Sequence, residues 1–143
     1  ADTDTGPKGM TPEENETERP LRILLVDDHS VMRQGLTAML NDQEDMEVIA
    51  EASNGEEAVA LCNVRHPDVV LMDVSMPEVN GVEATRRIRK DKKGATIIGL
   101  SLHDDELMRD KMLDAGAVTY VSKSDSAETL LAAVRGAVKS VAT

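Results

Sequence analysis

Aromatic residues are almost absent from this chain of 143 residues, which holds one tyrosine, Tyr120, and neither tryptophan nor phenylalanine. A core built without large rings has to come from Leu, Ile, Val, Met and Ala. Cysteine is equally scarce: Cys62 stands alone, which excludes an internal disulfide and fits a reducing, cytoplasmic compartment. No apolar stretch approaches the ~20 residues that span a bilayer, and no signal-peptide pattern is visible, so no membrane partner is expected. Positive charge is in deficit. A net charge of −11 and a pI of about 4.6 argue against direct contact with nucleic acid, which needs basic patches. The histidines His29, His66 and His103 lack metal-ligand spacing and read as solvent-facing or as standing behind other ligands. Gly55, Gly81 and Gly116 form no phosphate-binding glycine loop; they read as turn and cap positions.

What is present begins with an acidic lead-in. Residues 1–19 carry Pro7, Pro12 and two glycines without apolar periodicity, and six acids against Lys8 and Arg19 leave a charge of −4. Such a segment buries too little surface to offset its ordering entropy, so a disordered linker or tail is expected over 1–19, ahead of one folded domain over 20–140. Within that domain short apolar runs alternate with amphipathic segments. The runs Arg22–Val26, Val48–Ala52, Val69–Met72, Thr96–Leu100 and Thr119–Val121 read as buried strands. Between them, Met32, Leu36, Met39 and Leu40 follow helical spacing, and a second helix starts at Ser53-Asn54, carries Ala58, Val59 and Cys62, and stops before Pro67. A third runs from Gly81 through Val82, Thr85 and Ile88. The fourth carries Leu107, Met108, Met112 and Leu113 and ends at Ala115-Gly116; the last opens on Asp125, paired with Glu128 as a capping box, and buries Leu130, Leu131, Val134 and Val138. Strands alternating with helices imply right-handed βαβ crossovers. Five such units predict an α/β, flavodoxin-like (βα)5 sandwich with parallel strand order 2-1-3-4-5.

That order makes strands 1 and 3 neighbours and puts the binding crevice beyond their carboxyl ends. Asp27 and Asp28 end the first strand and Asp73 ends the third, so three carboxylates fall into the crevice, where a hard cation such as Mg²⁺ would offset their repulsion. Strand 4 ends in Ser101 and strand 5 leads into Lys123, bringing a hydroxyl and an amine to the same edge. A carboxylate can attack phosphorus to form a mixed anhydride, and phosphoryl transfer depends mainly on positioning and charge neutralisation. Asp73, alone at the end of the central strand, is the candidate nucleophile. Asp27 and Asp28 are candidate Mg²⁺ ligands, Lys123 a second positive charge paired with Asp73 at rest, and Ser101 a phosphoryl hydrogen-bond donor. The loop from Ser75 to Gly81 would offer a carbonyl to the metal and an N–H to the phosphoryl group.

The stretches LLVDDHSVMRQGL, VVLMDVSMPEVNGVEATRRI, IIGLS and AGAVTYVSK resemble the receiver domain of two-component response regulators, over roughly Leu21 to Lys139. The resemblance implies that Asp73 accepts a phosphoryl group from a phosphohistidine on a sensor histidine kinase or histidine phosphotransfer domain. It also implies Mg²⁺ ligation by Asp28, Asp73 and the Ser75 carbonyl with help from Asp27, and phosphoryl contacts from Ser101 and Lys123. Tyr120 matches the position where an aromatic ring moves inward as the hydroxyl residue, Ser101, turns toward the phosphate; on packing alone it would be a half-buried sheet residue. Output, and a possible homodimer, would run through the face of the fourth helix, fifth strand and fifth helix. Three features depart from the family pattern. Ser124 follows the lysine, where family members often have Pro after a cis bond, a geometry that costs ~3 kcal/mol without Pro. Leu102 stands where a small residue is more usual and would shield the phosphate. Ser75 and His103 occupy variable positions that tune hydrolysis.

The VDDH and IIGLSLHDDE segments resemble two receiver groups. The acidic lead-in favours a receiver excised from a hybrid sensor histidine kinase over the N-terminal receiver of a helix-turn-helix transcription regulator. On either reading the domain is a phosphoacceptor rather than an enzyme acting on external substrates. The rival of another class is a Mg²⁺-dependent aspartyl-phosphate phosphohydrolase. Such enzymes resemble a DxDx[TV] pattern with an acid two residues after the nucleophile, and Ser75 stands at that place here.

Overall fold

The computed structural model describes residues 19–74, 81–91, 95–101 and 106–142, with side chains to residue 138. Residues 1–18, Ser75, Leu102 and His103 therefore lie outside the described residues. Strand and helix alternate along the chain as β1 (Leu21–Val26), α1 (Ser30–Asn41), β2 (Met46–Ala52), α2 (Gly55–Arg65), β3 (Val69–Asp73), α3 (Gly81–Asp91), β4 (Thr96–Ser101), α4 (Glu106–Ala115), β5 (Thr119–Ser122) and α5 (Ala127–Ala142). The five strands form one parallel sheet in the order β2-β1-β3-β4-β5, as their alternation with helices predicts.

Every residue of β3 and β4 is buried, because both faces of the sheet are covered. The pleat divides the strands between two cores. Leu24, Val26, Val70, Met72 and Ile97 pack with Ala58, Cys62, Val82, Ala84, Ile88 and Met112 from α2, α3 and α4. Ile23, Leu25, Val69, Leu71, Ile98 and Leu100 pack with Leu40 of α1 and with Leu130, Leu131 and Val134 of α5. The helices that follow β1 and β3 thus lie on opposite faces, which opens a crevice at the carboxyl ends of those two strands.

The structure decides one open choice and changes one expectation. In α4 the inward face is Met108, Met112 and Ala115, spaced i, i+4, i+7, while Leu107 and Leu113 are 65% and 40% exposed. Four apolar residues in two adjacent pairs cannot share one stripe at 3.6 residues per turn, and the pair four apart wins. The cap of α5 is Ser126, whose Oγ accepts the Thr129 N–H at 3.2 Å; Asp125 instead accepts the Ser122 N–H through Oδ2 at 3.3 Å and closes the turn after β5. Asn54 caps α2 as expected, its Oδ1 accepting the Glu57 N–H at 2.8 Å. The bond between Lys123 and Ser124 is trans.

Candidate functional site

Strand register sets the carboxyl edge. Val26 of β1 lies beside Met72 of β3, Asp73 beside Leu100 of β4, and Ser101 beside Ser122 of β5. The next residues on β1 and β5, Asp27 and Lys123, therefore meet Asp73 over the top of the sheet. The Asp27 N–H donates to the Ala52 carbonyl at 3.0 Å, and the Lys123 N–H to the Ser101 carbonyl at 2.6 Å, so both backbones are pinned by neighbouring strands. Gly81 lets α3 start against the end of β3. A Cβ there would lie 2.5 Å from the Asp73 carbonyl oxygen, so a larger residue would push the nucleophile candidate out of place.

At the centre of the cluster the Lys123 ammonium sits 2.8 Å from Asp27 Oδ2 and 3.0 Å from Asp73 Oδ2. All three side chains are wholly buried, so the ammonium pairs with both carboxylates out of contact with solvent. The expected resting pair of Lys123 with Asp73 is present, and Asp27 shares the cation equally closely. Burial would raise the Asp27 carboxyl, but Lys123, the His29 backbone N–H and the His29 ring outweigh it and hold the group below the ordinary aspartate value. Asp28 is more open, with a quarter of its side chain exposed. Formally, three carboxylates and one ammonium leave a charge of −2, which a divalent cation would balance.

Two residues join the site that the spacing of polar residues did not single out. His29, expected to face solvent or stand behind other ligands, is half-exposed but lies against both acids. Its Nδ1 is 3.2 Å from Asp27 Oδ1 and 3.1 Å from Asp28 Oδ1, and its backbone N–H donates to Asp27 Oδ1 at 2.9 Å. Donor atoms of Asp27, Asp28, His29 and Asp73 all fall within 4.8 Å of one another. Arg33, one turn into α1, donates through Nη1 to the Asp27 carbonyl at 2.6 Å and through Nε to Glu51 Oε1 at 2.9 Å. It ties the end of β1 to the end of β2. The only prior signal for either residue was proximity to Asp27-Asp28 in the chain.

Ser101 is buried at the end of β4. Tyr120 is more deeply placed than a half-buried sheet residue, at 5% exposure, with its ring over Gly99 and against Met112. Among the described residues its hydroxyl is buried without a hydrogen-bond partner, and the Arg109 guanidinium lies 5.3 Å from the ring centroid. Among the described residues no helix is long and apolar enough to cross a membrane.

Residues 23–135 match the family model described as the response regulator receiver domain. Response regulator UvrY of Escherichia coli (strain K12) is 41% identical over 115 residues, which cover 80% of this chain and 53% of UvrY. The chain thus spans about half the length of the curated relatives it matches. Among solved structures, a LuxR-family two-component response regulator from Aurantimonas sp. SI85-9A1 superposes with a TM-score of 0.81 at 35% identity, covering 85% of this chain and 86% of that one. The response regulator domain of Thermotoga maritima CheB gives 0.78 at 34% identity, covering 85% and 98%.

Proposed function

Because the chain belongs to the response regulator receiver family, we propose that it takes a phosphoryl group from a phosphohistidine onto Asp73 and uses the product as a signal. The observation that carries this reading is the buried Lys123 ammonium shared by Asp27 and Asp73 beside the open Asp28 carboxylate. In the transfer, an Asp73 carboxylate oxygen forms the new bond to phosphorus as the phosphorus–nitrogen bond of the donor histidine breaks, and the leaving imidazole takes a proton from water. Lys123 keeps the carboxylate oriented before transfer and pairs with a phosphoryl oxygen afterwards; Ser101 supplies a hydrogen bond to another. Asp27, Asp28 and Asp73 would hold Mg²⁺, with the Ser75 carbonyl proposed as a further ligand. The ion supplies charge neutralisation for the phosphoryl oxygens.

Phosphorylation then biases Ser101 and Tyr120 between two arrangements, read out on the face of α4, β5 and α5 by a partner or a second copy of the chain. The donor is a sensor histidine kinase or a histidine phosphotransfer domain. Curated relatives are named response regulator and transcriptional regulatory protein, which favours the receiver of a transcription regulator as the parent context. The hybrid-kinase context rests on the acidic lead-in alone. The domain boundary near residue 20 and the linker character of the segment before it belong to this proposal as well.

The test is intact mass after incubation with acetyl phosphate and Mg²⁺, comparing wild type with Asp73→Asn. One added phosphoryl mass in wild type only supports the assignment. Stable incorporation by the variant would refute it, and turnover of external phosphate esters would point to the phosphohydrolase instead. Transfer from a phosphorylated histidine kinase, measured the same way, tests the donor.

A further inference from the structure

Resting on the reading of this edge as a cation site, we infer that His29 is itself a metal ligand, which makes the centre a mixed oxygen and nitrogen site suited to Mn²⁺ or Co²⁺ as well as Mg²⁺. Without an ion these contacts hydrogen-bond the ring to Asp27, and the same spacing matches that of a coordination shell. Adjacent donors around a six-coordinate ion with bonds of ~2.1 Å are ~3 Å apart. Nδ1 of His29 stands at 3.2 Å from Asp27 Oδ1 and 3.1 Å from Asp28 Oδ1, so it occupies a vertex next to both. The span of 4.8 Å across donors from all four residues is slightly wider than the ~4.2 Å between opposite vertices, so a small inward movement closes it. Asp27 Oδ2 is held by the Lys123 ammonium at 2.8 Å, which leaves Oδ1 as the Asp27 oxygen that faces the His29 ring.

The backbone delivers the ring there. His29 holds an extended conformation (φ −96°, ψ 103°) just before α1, and its N–H is anchored on Asp27 Oδ1. Its side chain makes no capping hydrogen bond to the helix it precedes, so the helix does not claim it. Ligation through Nδ1 uses the neutral ring with its proton on Nε2. Imidazole is a poor ligand for Mg²⁺ but a good one for later first-row divalent ions, whose affinities rise from Mn²⁺ to Co²⁺ and beyond. Any carboxylate site shares that trend, so the discriminating quantity is how far it depends on His29.

The test uses the whole chain and the metals alone. Pulsed electron paramagnetic resonance of bound Mn²⁺ reads directly coordinated imidazole as nitrogen modulation. Calorimetric titrations with Mg²⁺ and Co²⁺ give the affinity ratio for wild type, His29→Ala and His29→Asn. The expected result is nitrogen modulation in wild type that both variants lose, with Co²⁺ affinity falling ~10-fold or more and Mg²⁺ affinity changing less than about threefold; even residues that only support a ligand act on that scale. Mn²⁺ bound without nitrogen coupling, or an unchanged Co²⁺ to Mg²⁺ ratio, would overturn the inference and leave the cation site standing. Absence of Mg²⁺ and Mn²⁺ binding in wild type would overturn both.

Discussion

Replacing Lys123 by methionine tests the centre of the site most directly. The change keeps the length and apolar stem of the side chain and removes one charge. Asp27 and Asp73 are then left wholly buried, without the ammonium at 2.8 and 3.0 Å that offsets them. Breaking a buried ion pair from one side costs about 3–5 kcal/mol, because the partner charge stays desolvated and uncompensated. Here two carboxylates lose the same partner, so the upper half of that range is expected near neutral pH. With m near 1.5 kcal/mol/M in urea, the midpoint should fall by roughly 3 M. The penalty has two escape routes. Two facing carboxylates with no cation raise the pKa of one of them, so the deficit should shrink as pH falls and one binds a proton. Neutralising a carboxylate has the same effect, so Lys123→Met combined with Asp27→Asn should recover much of the loss. The assay is urea unfolding followed by circular dichroism at 222 nm, at two pH values and without divalent metal. A loss below about 1 kcal/mol, or one that neither acid nor Asp27→Asn relieves, would show that the ammonium is not the electrostatic keystone of this edge.

Three further outcomes are expected. Asp27 is held below its ordinary pKa in the folded state, so it contributes stability above its unfolded value that is lost as pH falls through the folded one; Asp27→Asn should therefore flatten the acid side of the stability profile, read by thermal melts across that range. Gly99→Ala places a Cβ 2.7 Å from Tyr120 Cδ1 and 3.2 Å from Met112 Cε, so it should cost about 1–3 kcal/mol and turn the ring toward solvent. Near-ultraviolet circular dichroism of the single tyrosine reports that movement, and an unchanged band would contradict it. Ser126→Ala should cost about 1 kcal/mol through the lost α5 cap, and Asp125→Ala less, in paired urea titrations.

Much of the site was legible because it sits where strands end. The runs ending at Asp27, Asp73 and Ser101, and the run leading into Lys123, are short and apolar, and the alternation of strands with helices leaves few topologies. The same logic leaves the facing of α4 open, where Leu107 and Leu113 look as apolar as Met108 and Met112 but only one stripe faces the sheet. It failed at the start of α5. Asp125 and Ser126 are both good cap residues, and the turn after β5 decides between them.

The amino-acid sequence by itself determined the period of each element, the parallel order of the sheet and the edge at which the acids collect, since these follow from local apolar patterns and from chain connectivity. Only the tertiary structure decided which side chains touch. That Lys123 serves Asp27 as closely as Asp73, that His29 turns onto both leading acids and that Arg33 holds the Asp27 carbonyl depend on rotamers and on contacts spanning as many as 96 positions. Such contacts are selected by burial and charge balance in the assembled fold, and no local pattern carries them.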